Sequence, residues 1–204
     1  MIIQENSILN SLPTARIDSR ELYYFEVTIT IIKMLEINYS RIFEMIESKD
    51  RKITQEPLIV EVWSIIDNFY RLKIILDKIP GIKKKEPWFQ TMLKKLDSVE
   101  KPRHFIEHYD HEIENLQSKT LPPFGYLAYA VVVNSKTIQT MIAVPGYVRK
   151  YHLTAINPAG RMFRQKVDLI TFFIGEDIIK LSELLYTTID FVKEFEKYIE
   201  MKYK

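Results

Sequence analysis

The feature that most constrains the fold is a change of hydrophobic periodicity at KTLPPFG, residues 119–125. Before this segment, apolar residues recur about every three to four positions, as they do in amphipathic helices. After it, two runs rich in β-branched and aromatic residues, 126–133 and 137–144, flank the turn signal NSK. The pattern predicts an α+β fold, in which a mainly α-helical bundle has an antiparallel hairpin or meander inserted before the C-terminal helix.

The helical part, residues 1–118, contains start and stop signals for four helices. The stretch DSRE predicts a capping box, in which Asp18 accepts from the backbone N–H of Glu21 and the Glu21 side chain reaches back. Ser98 is predicted to cap the fourth helix. The predicted helices cover roughly 18–47, 54–79, 86–96 and 98–118.

The part that follows, residues 124–181, is predicted to form antiparallel strands. Besides the hairpin around NSK, a third strand is expected in KVDLITFFIG, and DIIKL is expected to pair with it. Ser182 is then predicted to cap a final helix over 182–204, which brings the total to about five helices. The whole chain of 204 residues fits a single domain.

Composition excludes several classes of site. The chain has five glycines and neither of the common glycine-rich phosphate motifs, so a nucleotide-binding loop is not expected. It has no cysteine, which excludes disulfides, thiolate zinc sites and cysteine nucleophiles. A net charge of +2 permits contact with nucleic acid but does not indicate a dedicated binder. We expect no cofactor.

The start of the chain lacks the basic residues and the long apolar run of a signal peptide. No stretch of the sequence approaches the roughly 18 uninterrupted apolar residues that a membrane span requires. We therefore expect a soluble, cytoplasmic protein that makes no contact with a membrane.

Ionisable chemistry is concentrated in RHFIEHYDHEI, residues 103–113, which holds three of the four histidines. On one continuous helix that turns about 100° per residue, its ionisable side chains fall opposite an apolar stripe. Such a face is either solvated surface or a functional site. Histidine favours the second interpretation, because lysine or glutamate makes a better helix surface and imidazole titrates near neutral pH.

Arg103, His104 and His108 fit a short motif on a helix: an arginine, a polar residue, three variable residues and a histidine. In this the chain resembles the HEPN-family ribonucleases, whose helical bundles cleave RNA without a metal, often at a site composed by two subunits. The resemblance implies that Arg103 binds phosphate, that His104 takes the polar accessory position, and that His108 is the acid–base residue, supported by Glu107. It also implies RNA as substrate, a homodimer, and a toxin or defence role with an antitoxin or another protein as partner.

Further side chains are candidates for contact with RNA. Arg149 and Lys150 lie in GYVRKYH, where aromatic residues and positive charges suit base stacking and phosphate contact. His111 is a third candidate, since it falls on the same predicted helix face as His108. A plain loop that connects two strands explains residues 146–152 equally well.

The same stretch leaves two other interpretations open. HFIEH is similar over five residues to the H-x-x-E-H motif of the insulysin and pitrilysin zinc peptidases. His104 and His108 would then share a metal, with Glu107 as the base and Glu183 as the third protein ligand. The last interpretation is a non-catalytic binding or assembly protein on the same scaffold, since two tryptophans and twelve tyrosines supply material for a protein interface.

Overall fold

The structure is a computed structural model that describes residues 1–48, 55–135, 137–146 and 150–203. Its helices are α1 (Ser19–Glu47), α2 (Gln55–Lys78), α3 (Pro87–Leu96), α4 (Glu100–Glu107), α5 (Tyr109–Ser118) and α6 (Leu181–Tyr203). Its strands are β1 (Tyr126–Asn134), β2 (Thr137–Ala143), β3 (Val167–Ile174) and β4 (Asp177–Lys180).

The four strands of the described residues form one antiparallel sheet in the order β2-β1-β3-β4. β1 pairs with β2, with Tyr129 opposite Met141, and this confirms the predicted hairpin. β3 pairs with the other edge of β1, and β4 pairs with β3, with Phe172 opposite Ile179. The α+β class and the position of the strands before the last helix are therefore confirmed.

The helices pack on one another and on one face of this sheet. α1 packs along α2, and α6 packs on α3 and β3. Trp63 of α2 meets Phe172 of β3 edge to face, with 5.1 Å between ring centroids. On α6, Phe191 and Phe195 are both buried, and Phe195 meets Phe25 of α1 edge to face at 5.2 Å. Since burying one such ring contributes about 1.5–3 kcal/mol, these contacts hold the helical and sheet parts together.

Residues 150–166, which contain neither helix nor strand, pack on part of the other face of the sheet. The backbone N–H of Thr154 donates to the Tyr126 hydroxyl at 2.8 Å. Ile156 packs on Tyr126 and Phe173, whose rings stack with centroids 4.7 Å apart. The segment therefore shields the part of this face around Tyr126 and Phe173, whereas Ile178 opposite Phe173 stays exposed.

The predicted N-cap of α1 is confirmed. The Asp18 Oδ1 atom accepts from the backbone N–H of Arg20 at 2.9 Å and from that of Glu21 at 3.3 Å. The Glu21 carboxylate accepts from Lys202 Nζ at 2.7 Å, so this side chain ties the first helix to the last.

Two other predicted caps are wrong. Ser98 lies in a 3₁₀ turn before α4, and its hydroxyl donates to the Lys95 carbonyl at 2.8 Å. Ser182 is the second residue of α6, and its Oγ accepts from the backbone N–H of Ile170 at 2.9 Å. The register of β1 and β3 shifts at this point, where Leu169 has a φ of 56°. Such a bulge interrupts the ladder, so the Ile170 N–H takes its acceptor from a side chain.

The predicted fourth helix is two helices that meet at His108, which has φ −118° and ψ 30°. Neither proline nor glycine occurs there, so we attribute the break to tertiary packing. Tyr109 at the start of α5 stacks on Phe124 with centroids 5.5 Å apart, and Leu116 is buried. The prediction of one continuous helix is therefore wrong, and His111 belongs to a different helix from the residues before His108.

Replacing Asp18 with alanine is expected to lower the free energy of unfolding by about 0.5–2 kcal/mol, because the first N–H groups of α1 lose their acceptor. The Asp18→Asn variant is expected to retain most of that stability, since an amide oxygen accepts the same bonds. Urea denaturation followed by circular dichroism measures both variants. An equal loss in the two variants, or no loss in either, would contradict the cap.

Candidate functional site

A cavity of about 350 Å³ lies between α4, α5 and the turn that joins β3 to β4. His104 of α4 and His108, the residue at which α4 ends, both line it. Lys101 and Lys119 line the same cavity, together with Glu112. The site thus combines two imidazoles and two ammonium groups with three carboxylates, those of Glu112, Glu176 and Asp177.

The β3–β4 turn closes one side of this cavity. Gly175 in the turn has a φ of 58°, a left-handed conformation that glycine adopts without strain. The next residue, Glu176, accepts from Lys119 Nζ at 2.7 Å, so the turn is linked to the end of α5. The Lys119 ammonium holds the pKa of the fully exposed Glu176 carboxyl below its ordinary value. The ion pair of Lys119 and Glu176 lies at the edge of the cavity, which both residues line.

Arg103 lies against α2. Its Nε donates to Asp67 at 2.9 Å, and its Nη1 lies 3.0 Å from Glu107. Its guanidinium carbon is 5.9 Å from the centroid of the Tyr70 ring. The side chain is 23% exposed, and Arg103 is not among the described residues that line the cavity with His108. The structure therefore brings His104, and not Arg103, into the same cavity as His108.

The Arg103 contact continues to His104 through Glu107. One oxygen of Glu107 faces Arg103, and the other lies 3.3 Å from His104 Nδ1. A carboxylate in this position orients an imidazole ring and its tautomer. The contacts that run from Asp67 through Arg103 to Glu107 thus position the His104 ring. Glu107 contacts Nδ1 of this ring, so Nε2 remains available to a substrate.

Two of the remaining predicted RNA contacts, His111 and Lys150, are not among the described residues that line this cavity. His111 is 80% exposed, and its Nε2 lies 3.6 Å from Asp110. Lys150 is exposed, in the segment that lies beside the end of α5 through a hydrogen bond from His152 N to the Thr120 carbonyl. Arg149 lies outside the described residues.

Lys101, Lys119 and Glu176 were missed by the sequence analysis. Lys101 precedes His104 by three residues, so helical spacing alone could have placed it on the same face. The pair of Lys119 and Glu176 joins residues 57 apart in the chain, and no local pattern signals it.

The predicted zinc ligands are not assembled. Both oxygens of Glu107 contact neighbouring side chains, and Glu183 lies 2.5 Å from Lys95 and 3.1 Å from Lys180. Within the residues that the structure describes, no group of three or more His, Asp or Glu side chains is arranged to hold a metal ion.

No described helix combines the length and the apolar character that crossing a membrane requires.

Comparison with protein-family models, with curated proteins and with solved structures finds no match to this chain. The resemblance to HEPN ribonucleases therefore rests on the motif and the helical context, and any function has to be inferred from the site itself.

The Glu176 pKa provides a direct test of the cavity edge. We expect NMR titration to give a Glu176 pKa below the ordinary value of a glutamate carboxyl, because the Lys119 ammonium donates to the ionised carboxylate and attracts it. The ion pair is then complete at neutral pH and is lost only as the pH falls through this lowered pKa. The Lys119→Met variant should return the pKa to its ordinary value, whereas Lys193→Met on α6 should leave it lowered. A Glu176 pKa that does not respond to Lys119→Met would refute the pairing.

Proposed function

We propose that this chain is a metal-independent endoribonuclease that acts at the cavity lined by His104 and His108. The observation that carries the proposal is the presence of two imidazoles and two lysines, Lys101 and Lys119, around one space. Cleavage of RNA without a metal needs a base, an acid and a positive charge near the phosphate. The cytoplasm as compartment and a toxin or defence role belong to the same proposal.

The two imidazoles divide the proton transfers between them. One imidazole in its neutral form takes the proton of the 2′-hydroxyl, and the 2′-oxygen attacks the adjacent phosphorus. The bond from phosphorus to the 5′-oxygen breaks, and the other imidazole, in its protonated form, donates a proton to that oxygen. The products are a 2′,3′-cyclic phosphate and a 5′-hydroxyl, and the rate passes through a maximum with pH because one imidazole must be neutral and the other charged.

The proposal changes the role expected for Arg103. Because its guanidinium faces Asp67 and Glu107, we assign it as a positioning residue that acts on His104 through the Glu107 carboxylate. Lys101 then takes over the contact with the phosphate that the HEPN resemblance gives to the arginine, while Lys119 pairs with Glu176 at the edge of the cavity. His108 keeps its acid–base role.

A second candidate function is a non-catalytic binding or assembly protein, whose partner would be a second copy or an antitoxin. The ion pairs of Arg103 favour it, because they neutralise the arginine as ion pairs on an ordinary helix surface do. Such pairs contribute little to stability, on the order of 0–1 kcal/mol, and need no functional explanation. Measurement of RNA cleavage separates the two candidates.

We expect purified protein to cleave a single-stranded RNA in excess EDTA, and we expect His104→Ala and His108→Ala each to slow cleavage by about 100-fold or more. The matched control is His111→Ala, which removes an exposed histidine of α5 and should leave the rate unchanged. Arg103→Ala should slow cleavage less than loss of either imidazole, because it acts only through Glu107. A fluorescent oligonucleotide assay measures all four variants.

Three results would contradict the proposal. Cleavage that EDTA abolishes and zinc restores would point to the metallopeptidase-like motif. Equal cleavage by His104→Ala, His108→Ala and the unaltered protein would place the activity elsewhere. No cleavage by the folded protein would favour the binding or assembly function.

A further inference from the structure

A second polar cavity, of about 370 Å³, lies between α1 and α2. From α1 it is lined by Asn38 and Arg41, and from α2 by Ser64, Asp67, Asn68 and Arg71, with Met34 and Ile37 beside them. The lining includes two guanidinium groups and one carboxylate, and the carboxylate of Glu61 lies beside Arg41, so each guanidinium has one carboxylate partner.

The floor of this cavity is built from two buried amides. Asn38 is 8% exposed and Asn68 is 4% exposed. Asn68 Nδ2 donates to Asn38 Oδ1 at 3.0 Å, and Asn38 Nδ2 donates to Glu61 Oε2 at 2.7 Å. Apolar side chains at these positions would pack between α1 and α2 without any loss of hydrogen bonds to water. Buried amides do lose such bonds and therefore need partners in the protein. The hydrogen-bonded pair thus keeps a polar surface at the bottom of the groove.

The rim of the cavity carries the two arginines. Arg41 Nη1 lies 3.1 Å from Glu61, and Arg71 Nη2 lies 2.6 Å from Asp67. Their side chains are 59% and 57% exposed. A guanidinium has five N–H donors in a planar fork that matches phosphate oxygens, and one carboxylate contact leaves donors for an anion.

A continuous set of contacts joins this groove to the cavity of the histidines. Asp67 contacts Arg71 through Oδ2 and Arg103 through Oδ1. Beyond Arg103, Glu107 leads to His104, as described above. Tyr70 lies along the same path, with its ring centroid 5.9 Å from the Arg103 guanidinium carbon and 6.4 Å from the His104 ring centroid.

We infer that the α1–α2 groove binds a phosphate of single-stranded RNA through Arg41 and Arg71. This inference rests on the proposed ribonuclease function, because it makes the groove a second contact for the strand that is cleaved at the histidine cavity. The half-buried Tyr70 between the two sites offers a ring on which a base of that strand stacks. Free phosphate has no base that could stack on Tyr70, so the arrangement favours RNA as the ligand.

The test is equilibrium binding of a 2′-O-methyl RNA oligonucleotide, which cannot be cleaved, measured by fluorescence anisotropy. We expect Arg41→Gln and Arg71→Gln each to raise Kd about 10-fold. Each lost phosphate contact should also reduce the slope of log Kd against log salt concentration by about 0.7. Arg41→Lys and Arg71→Lys keep the charge and the carboxylate partner, and should fall between the glutamine variants and the unaltered chain. Arg20→Gln, at the distant start of α1, is the matched control and should bind as the unaltered chain does.

The outcomes separate this inference from the proposed function. Unchanged Kd in Arg41→Gln and Arg71→Gln would overturn the groove assignment, even where the chain cleaves RNA. Weakened binding in both variants would support the groove, and failure of the same protein to cleave ordinary RNA would then overturn the catalytic proposal alone. Competition by inorganic phosphate at concentrations equal to those of the RNA would overturn the assignment to RNA.

Discussion

The guanidinium of Arg103 is the contact on which the arrangement of the site depends. It faces Asp67 of α2 and Glu107 of α4, so it fixes α4 on the helical bundle and at the same time fixes the carboxylate that meets His104. Arg103 is 23% exposed, so these contacts hold its guanidinium in one position between the two helices. Through it, the orientation of a candidate catalytic imidazole is set by the packing of α4 on α2.

The break at His108 determines what the ionisable residues face. On a continuous helix they would share one face, as the periodicity predicted. Because α5 starts anew at Tyr109 and packs on Phe124, the cavity obtains walls from α4, from α5 and from the β3–β4 turn. His108 lies at the junction of the two helices, and Lys119 at the end of α5 joins the cavity from the other side.

Local patterns predicted much of the fold. The cap at Asp18, the hairpin around NSK and the pairing of the last two strands follow from residue preferences over a few positions. The spacing of His104 and His108 likewise predicted a shared face, and both line one cavity. The pairing of Arg103 with Asp67 and that of Lys119 with Glu176 could not be predicted, because these partners are 36 and 57 residues away in the chain. Periodicity specifies which side chains share a face, and tertiary packing decides what lies opposite them. For the same reason, Ser182 accepts a hydrogen bond from the bulged strand β3 and does not cap its own helix.

The chemical nature of the RNA ends produced in EDTA tests the central claim most directly. Mass spectrometry of the fragments distinguishes attack by the 2′-hydroxyl from attack by water. Proton transfer by His104 and His108 predicts 2′,3′-cyclic phosphate and 5′-hydroxyl ends. Fragments with 3′-hydroxyl and 5′-phosphate ends, which water activated by another group would produce, would contradict the account.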